Sequence, residues 1–187
     1  MADRCDDAEL TALAFAAGRG DRAALARFVR ATQRDVQRFV AHLTSPREAD
    51  DLAQETYLRA LGALPRFAGR ATARTWLLSI ARRVAADHVR TAVRRPRTNP
   101  VDDWDAVGPA RSAVDEGVLL RRLVDELDPD RREAFVLTQL LDLSYTEAAQ
   151  VCDCPVGTIR SRVARAREDL VAAMDGDGRR ERRAGGL

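Results

Sequence analysis

The sequence contains no lysine, few aromatic residues and only two histidines. Aromatic residues make up 5% of the 187 positions. That is too few for a sheet-rich fold, because strands favour aromatic and β-branched side chains. Leucine, alanine and arginine, which are strong helix formers, dominate the composition instead. The composition therefore predicts an all-α protein.

Long apolar runs and paired cysteines are also missing. No stretch approaches the roughly 20 apolar residues that cross a bilayer, and MADRCDDAEL lacks the basic and apolar segments of a secretory signal. Cys5, Cys152 and Cys154 form an odd set, so we expect reduced thiols, a cytoplasmic protein and no membrane insertion. Cys152 and Cys154 could be half of a zinc site. No second Cys or His pair lies near them, so neither a metal nor another cofactor is expected.

All of the basic residues are arginines, and they nearly balance the acidic ones. The 31 basic and 29 acidic side chains leave a formal net charge of +2, which by itself indicates no particular partner. A GC-rich coding bias explains the missing lysine more simply than function does, although arginine also suits phosphates and guanine edges. Local clusters of charge are therefore more informative than the total.

Prolines and a cluster of acidic residues divide the chain into two helical parts. Three prolines between Pro96 and Pro109 prevent one helix from running through this segment. We predict two small helical domains, 8–95 and 118–175, joined by a flexible linker, 96–117. The Gly- and Arg-rich tail, 176–187, is predicted to be disordered.

In the first domain, Asp21 and the segment SPREADD at 45–51 mark the starts of two helices. The second of these helices separates an apolar face from an acidic face. The apolar face consists of Ala49, Leu52, Ala53, Thr56, Ala60 and Ala63. The opposite face consists of Asp50, Asp51, Gln54, Glu55 and Leu58. An acidic face is usually only solvated, but an exposed leucine among acids is also typical of a docking surface.

Arginine is concentrated on a third helix, predicted to begin near Thr75, and in the loop before it. The loop PRFAGRATAR carries Arg66, Arg70 and Arg74 and no acidic residue. The apolar stripe of the helix consists of Leu77, Ile80, Ala81, Val84 and His88. The outward positions are Ser79, Arg82, Arg83, Ala86 and Arg90, with Trp76 at the margin. An aromatic ring beside guanidinium groups suits the binding of unstacked bases, and a solvated helix face is an equally good alternative.

The second domain is predicted to open with a helix from Val118 to Leu127. Asp128 is predicted to cap the next helix, which has Pro129 in its first turn.

Farther along the second domain, the segment 144–171 has the spacing of a helix-turn-helix motif. SYTEAAQVC and a helix from about Thr158 to Val171 flank the Gly-containing turn DCPVG. The apolar stripe of the second helix consists of Ile159, Val163, Ala166 and Leu170. Its other face carries Gly157, Thr158, Arg160, Ser161, Arg162, Ala164, Arg165 and Arg167. Small residues permit close approach to a DNA groove and flanking arginines can reach phosphates, so DNA binding is favoured over a purely structural basic helix.

Two stretches resemble the extracytoplasmic-function group of the sigma-70 family, the dissociable promoter-specificity subunits of bacterial RNA polymerase. ADDLAQETYLRAL followed by RTWLLSIARRVAADHVR is similar to region 2 of that family. LDPDRREAFVLTQLLDLSYTEAAQ with CPVGTIRSRVARAR is similar to its region 4. The two stretches cover roughly 20–95 and 118–172 in the right order, with a linker of suitable size between them. Such a double match is specific, whereas either half alone could belong to another helix-turn-helix protein.

The resemblance implies a sigma factor that binds core RNA polymerase, through its β and β′ subunits, and directs promoter recognition and transcription initiation. An anti-sigma factor is a further candidate partner. The residues implied to bind the clamp helices of β′ are Asp51, Gln54, Glu55 and Leu58. Those implied for the minus-ten element are Phe67, Arg70, Trp76, Ser79, Arg83 and Arg90. Those implied for the minus-thirty-five element are Thr158, Arg160, Ser161, Arg162, Ala164, Arg165 and Arg167.

Three positions depart from the pattern of the family. Ala73 stands where an aromatic residue is frequent, Ala164 where some members carry Phe, and Asp153 where Gly usually precedes CPVGT. These departures leave the promoter sequence open. No catalytic residue is expected, because neither histidine has an evident nucleophile beside it and no phosphate-binding Gly loop occurs.

Two other classes of protein stay open. A stand-alone helix-turn-helix regulator would leave the region 2 segment without a role. A sigma-mimicking adaptor would not need the arginines of 160–167.

We also expect the two domains of the free protein to pack together and partly cover their DNA-facing helices. Region 2 is basic at Arg70, Arg83 and Arg90, whereas region 4 carries acidic residues between Asp125 and Asp130. Contacts of this kind are modest and polar, so a polymerase helix can compete with them.

Overall fold

The computed structural model describes residues 6–94 and 116–184, and within these ranges it contains helices and connecting turns but no strand. The all-α prediction is confirmed. The helices are α1 (Asp7–Gly18), α2 (Arg22–Leu43), α3 (Ala49–Ala63), α4 (Ala73–Arg94), α5 (Glu116–Asp125), α6 (Pro129–Phe135), α7 (Tyr145–Cys152) and α8 (Val156–Ala184). The predicted linker lies almost entirely outside the described residues.

The helix α2 begins where its sequence indicates. An Asp21 carboxylate oxygen accepts hydrogen bonds from the amides of Ala23 and Ala24, at 2.9 and 3.0 Å. It thereby satisfies two of the amide groups that lack a partner at a helix start. Farther along the helix, Val36 and Phe39 are fully buried in the core of the first domain.

The helix α1 was not predicted, because its own apolar residues are spread over all of its sides and form no amphipathic pattern. Leu10, Leu13 and Ala14 are nevertheless buried. At its end, a Cβ added to Gly18 would lie 2.7 Å from the carbonyl oxygen of Leu64. The helix therefore packs directly on the short 3₁₀ turn that follows α3.

The helix α3 buries the face that its sequence predicts, except for Ala63 at its last turn, which is half-buried. The Tyr57 hydroxyl lies 2.8 Å from the hydroxyl of Thr32 and so links α3 to α2. Burial raises the pKa of Tyr57 to about 12. This contact helps to fix α3 on α2, and with it the position of the outer face of α3.

The helix α4 begins at Ala73, two residues earlier than predicted. The Thr72 hydroxyl accepts a hydrogen bond from the Thr75 amide at 3.2 Å, and this contact caps the new first turn. The predicted apolar stripe is buried, apart from the half-buried His88, whose Nε2 lies 2.7 Å from a carboxylate oxygen of Glu48. Arg74 consequently belongs to the helix rather than to the loop.

In the second domain, α5 runs from Glu116 to Asp125, about two residues earlier at each end than its sequence predicts. Asp128 caps α6 at Pro129, as predicted, and a π-helical turn, Val136–Leu140, extends that helix. Ser144 and Glu147 form a reciprocal capping box at the start of α7. The turn to α8 then passes through Asp153, which adopts a left-handed conformation at φ 52°.

The helix α8 continues to Ala184 and therefore runs through most of the tail that was predicted to be disordered. No proline interrupts 176–184, and its arginines and glutamate favour the helical state. The two glycines in this stretch cost about 1 kcal/mol each but do not block a helix. The predicted disorder of the tail stays a prediction.

The two domains are in contact along a surface that we call the domain seam, where α4 packs on α7 and α2 packs on α6. Arg74 Nη2 donates to the carbonyl oxygen of Leu141 at 2.6 Å. Arg82 Nε donates to a carboxylate oxygen of Glu133 at 2.6 Å, and Glu133 is only 5% exposed. The expected packing of the domains is thus present, and these two arginines of the first domain supply polar contacts across it.

A buried histidine lies at the seam. His42 is buried, its Nδ1 lies 3.0 Å from Asp125, and its carbonyl oxygen accepts a hydrogen bond from Arg132 at 3.2 Å. Burial lowers the pKa of His42 below its ordinary 6.5 and outweighs the opposing effect of Asp125, while Arg121 and Arg38 lower the pKa further. The packed state therefore binds the proton less readily than the unfolded chain.

We predict that His42 contributes stability above pH 6.5 that is lost as the pH falls through and below that value. The unfolding free energy of the wild-type chain should drop more between pH 7.5 and 5.5 than that of His42→Gln. Urea titrations at both pH values measure this difference, and the comparison between the two proteins removes the contribution of other groups. Equal drops in both would show that His42 does not couple the seam to pH.

Candidate functional site

The loop 67–72 and the outer side of α4 form a basic surface with an aromatic component. Arg70, Arg83 and Arg90 are exposed, while Trp76 and Ser79 are half-buried. The Ser79 hydroxyl donates to the Trp76 carbonyl oxygen at 2.7 Å, which directs it back to its own helix. We call these five residues the minus-ten surface, after the role that the resemblance implies. Trp76, Ser79, Arg83 and Arg90 lie on one side of α4, and Arg70 lies in the loop before it.

Phe67 was expected on the same surface, but only 9% of it is exposed. Its ring lies between those of Phe15 and Trp76, with centroid separations of 5.0 Å on each side. Phe67 nevertheless lines the open cavity beside this surface, and its role at the minus-ten element stays a prediction. Phe15 lies on α1, a helix that the sequence pattern did not reveal. Its ring covers one side of the Phe67 ring.

An open cavity of about 360 Å³ lies beside the minus-ten surface. The loop 67–72 and the first turns of α4, including Trp76 and Ser79, line most of it. Gln150 of α7 lines it from the other domain. The domain seam therefore borders this surface directly.

The outer side of α3 presents the acidic face that the sequence predicts. Asp51 and Gln54 are exposed, and Leu58 is 58% exposed, a large fraction for a leucine. Glu55 lies 2.7 Å from Arg59, one turn farther along the helix. We call Asp51, Gln54, Glu55 and Leu58 the docking face.

Arg59 was not singled out in the sequence, although it joins the docking face to α4. Its guanidinium also lies 2.8 Å from a carboxylate oxygen of Asp87. The hydrogen bond from Arg59 lowers the pKa of Asp87 below the ordinary aspartate value. An arginine four residues after a glutamate is the sequence signal that could have indicated the first half of this bridge.

The helix α8 buries its predicted stripe and exposes the opposite side. Ile159, Val163 and Ala166 are fully buried. The exposed or half-buried residues opposite them are Thr158, Arg160, Ser161, Ala164 and Arg165, which we call the recognition face. No part of the seam covers Arg160, Ser161 or Arg165, so the expected masking does not extend to this helix.

Two other arginines of α8 have partners within the second domain. Arg162 forms an ion pair with Asp130 of α6. Arg167 Nη2 donates to the side-chain oxygen of Gln139 at 2.8 Å. Both contacts hold α8 on the helix beneath it, so these arginines flank the recognition face rather than project from it.

Neither a metal site nor a membrane span stands out in the part of the chain that is described. No group of three or more potential metal ligands occurs there. Cys152 is buried, and this burial raises the pKa of its thiol well above the usual range. No described helix is both long and apolar enough to cross a membrane.

Comparison with protein-family models gives a match for each half of the chain. The model of sigma-70 region 2 matches residues 28–95, and that of sigma-70 region 4 matches residues 117–170. The chain is 54% identical, over 92% of its length and 95% of the relative, to the ECF RNA polymerase sigma factor SigC of Mycobacterium tuberculosis. The chain belongs to the sigma-70 family. It is an RNA polymerase sigma factor of the extracytoplasmic-function group.

More distant relatives agree with this assignment. An ECF RNA polymerase sigma-E factor of Escherichia coli is 34% identical over 81% of the chain and 87% of its own length. Among solved structures, the sigma factor RpoE of Bartonella quintana, in complex with the anti-sigma factor NepR, has a TM-score of 0.67 at 28% identity. It aligns with 81% of this chain and 96% of its own. CnrH, in complex with the cytosolic domain of CnrY, reaches 0.71 at 25% identity over 90% and 99%.

Proposed function

We propose that the docking face, the minus-ten surface and the recognition face divide the work of this sigma factor among three helices. The observation that carries the proposal is their occurrence on separate, exposed parts of one chain. The chain supplies binding energy in the cytoplasm, and the bond-forming chemistry belongs to the polymerase. The sigma factor itself needs no catalytic group and no cofactor.

The docking face of α3 binds the β′ clamp helices. Leu58 exposes apolar area to water, which is unfavourable unless a partner covers it, and Asp51 and Glu55 place negative charge beside it. An apolar residue within a charged rim is typical of an interface core. The link from Glu55 through Arg59 to Asp87 holds the face in register with α4.

The minus-ten surface binds the promoter strand as it melts. Trp76 offers a partly exposed ring, and Arg70, Arg83 and Arg90 offer positive charge along the side of α4. Stacking of an unpaired base on an aromatic ring contributes about 1–3 kcal/mol. This gain offsets the few kcal/mol that unstacking the base from the duplex costs.

The recognition face of α8 enters the major groove at the minus-thirty-five element. Ser161 and Ala164 are small enough to let the helix approach the bases, and Arg160 and Arg165 can reach base edges or phosphates. Arg162 and Arg167 lie at the flanks and suit phosphate contacts. Region 2 then has a role, which a stand-alone regulator would not give it.

Promoter binding also requires the seam to open. The two promoter elements are about 25 base pairs apart, which is roughly 85 Å along the duplex at 3.4 Å per step. A packed chain of this length has a radius of gyration of only about 16 Å. The packed arrangement is therefore the free state, and polymerase binding separates the domains.

The recognition face makes a testable distinction between two arginines. Arg165→Ala should cost the holoenzyme about 1–3 kcal/mol of promoter affinity and relax its preference at one position of the minus-thirty-five element. Arg167→Ala should weaken all sequences alike and reduce the slope of affinity against salt by about one. Anisotropy titrations on a set of single-base promoter variants, at several salt concentrations, measure both effects. Equal losses that ignore sequence would show that Arg165 contacts only phosphate.

A further inference from the structure

The loop 67–72 contacts α1, a helix that precedes both segments that match the family models. Phe15 of α1 packs against Phe67 at the start of the loop, with the rings tilted by 43° and a centroid distance of 5.0 Å. One turn earlier in α1, the hydroxyl of Thr11 accepts a hydrogen bond from the amide of Ala73 at 3.1 Å. The same helix therefore contacts both ends of the loop.

Gly69, in the middle of the loop, lies directly against the same helix. A Cβ added to Gly69 would lie 2.7 Å from the Cζ atom of Phe15, closer than real Cβ contacts, so the ring would have to move aside. The residue also has a φ of +66°, which glycine adopts at no steric cost. The ring of Phe15 thus limits both the composition and the position of the loop at its centre.

The helix α1 is itself a firm support. Leu10 and Leu13 are buried in the core, and Glu9 pairs with Arg27 of α2 at 2.7 Å. At its end, Gly18 lies flush against Leu64, just before the loop. The helix follows the backbone from 64 to 73, and none of its side chains belongs to the minus-ten surface.

We propose that α1, through Phe15 and Thr11, positions the loop 67–72 for capture of the unpaired minus-ten strand. Phe15 and Thr11 are positioning residues, because their contacts go to Phe67, Gly69 and Ala73. The inference rests on the proposed role of the minus-ten surface. It adds that the melting step depends on a helix outside the two segments that match regions 2 and 4.

The experiment uses the full chain with core polymerase and a promoter fragment recovered by run-off transcription. A fluorescent adenine analogue in the melted minus-ten strand reports open complexes. Phe15→Ala and Thr11→Val should each reduce open-complex formation about fivefold, while core binding and affinity for a minus-thirty-five duplex stay within twofold of wild type. Val171→Ala, which truncates another exposed apolar side chain far from the loop, should leave all three within twofold.

Substitutions at Gly69 test the contact with Phe15 more specifically. They allow a matched control at another glycine, and they allow a double variant that a merely structural role of α1 would not rescue. Gly69→Ala should reduce open complexes about tenfold. Gly20→Ala, at a φ of +100° with open space around it, should change them less than twofold. Adding Phe15→Ala to Gly69→Ala removes the clash, so the double variant should form more open complexes than Gly69→Ala alone.

The outcomes separate this inference from the function on which it rests. If the wild-type chain forms no open complex with core polymerase, the proposed role of the minus-ten surface is wrong. If the wild type does form one, the positioning role is overturned by either of two results. The first is that Phe15→Ala forms as many open complexes as Val171→Ala. The second is that Gly69→Ala reduces open-complex formation by the same factor whether position 15 is alanine or phenylalanine. A parallel loss of core binding in Phe15→Ala and Thr11→Val would equally overturn it, because the helix would then support the whole domain.

Discussion

Replacing Glu133 by alanine should open the domain seam and increase the affinity of the free chain for the single-stranded minus-ten strand by about 5- to 30-fold. Glu133 is nearly fully buried, and its carboxylate accepts a hydrogen bond from Arg82 of the other domain at 2.6 Å. Breaking a buried, hydrogen-bonded charge pair costs about 2–5 kcal/mol. The Arg82 side chain is one-third exposed, so solvent screening reduces the expected cost to about 1–2 kcal/mol.

Two measurements on the free chain test this prediction. Energy transfer between one dye on α2 and another on α8 should fall in Glu133→Ala, and affinity for a minus-ten oligonucleotide should rise. Glu126→Ala is the matched control, because Glu126 is an exposed carboxylate paired with Arg122 of its own segment at 3.2 Å. An unchanged oligonucleotide affinity in spite of lower energy transfer would show that the seam does not restrict the minus-ten surface.

The recognition face leads to a different expectation for duplex DNA. It was expected to be covered in the free protein, so that the full chain would bind a minus-thirty-five duplex more weakly than residues 116–175 alone. Arg160, Ser161 and Arg165 are exposed in the packed structure. Masking by the seam therefore concerns the minus-ten surface, and Glu133→Ala should leave the affinity for a minus-thirty-five duplex unchanged.

Charge reversal on the docking face should reduce the affinity for core polymerase by at least about 30-fold. Asp51→Arg together with Glu55→Arg places positive charge on both sides of Leu58, and charge pairs at interfaces carry about 2 kcal/mol or more. The intramolecular cost is smaller, because Glu55 loses only an exposed pair with Arg59, worth about 0.5 kcal/mol. Helix content should therefore stay the same while holoenzyme assembly is lost.

The control for this variant carries the same change of charge elsewhere. Glu126→Arg with Glu168→Arg alters two exposed carboxylates of the second domain, away from the acidic face of α3. Binding to core polymerase, followed by fluorescence anisotropy of a labelled chain, should be near that of wild type for the control. Assembly of the docking-face variant at wild-type concentrations would show that α3 is not the docking helix.

The sequence predicted those features that depend on local periodicity. The stripes of α3 and α8 follow from helical spacing within about 15 residues, and both are buried as expected. The caps at Asp21 and Asp128 depend on neighbouring residues and were predicted for the same reason. Local chemistry is sufficient wherever a side chain finds its partner within its own helix.

The features that were missed depend on distant partners. The carbonyl that accepts from Arg74 lies 67 residues farther along the chain, and the carboxylate bound by Arg82 lies 51 residues away. No periodicity within one helix encodes such contacts. The burial of Phe67 was missed for a related reason, because α1 has no amphipathic signal and so gave no sign of the ring of Phe15 that covers it.

The most direct test of the central claim is run-off transcription with purified core polymerase, the full chain and a library of genomic promoter fragments. The account predicts transcripts that require the chain and start from a discrete set of fragments. These fragments should share a minus-thirty-five and a minus-ten element at fixed spacing, and Asp51→Arg with Glu55→Arg should abolish the transcripts. A chain that binds such fragments on its own but yields no transcript dependent on it would contradict the account.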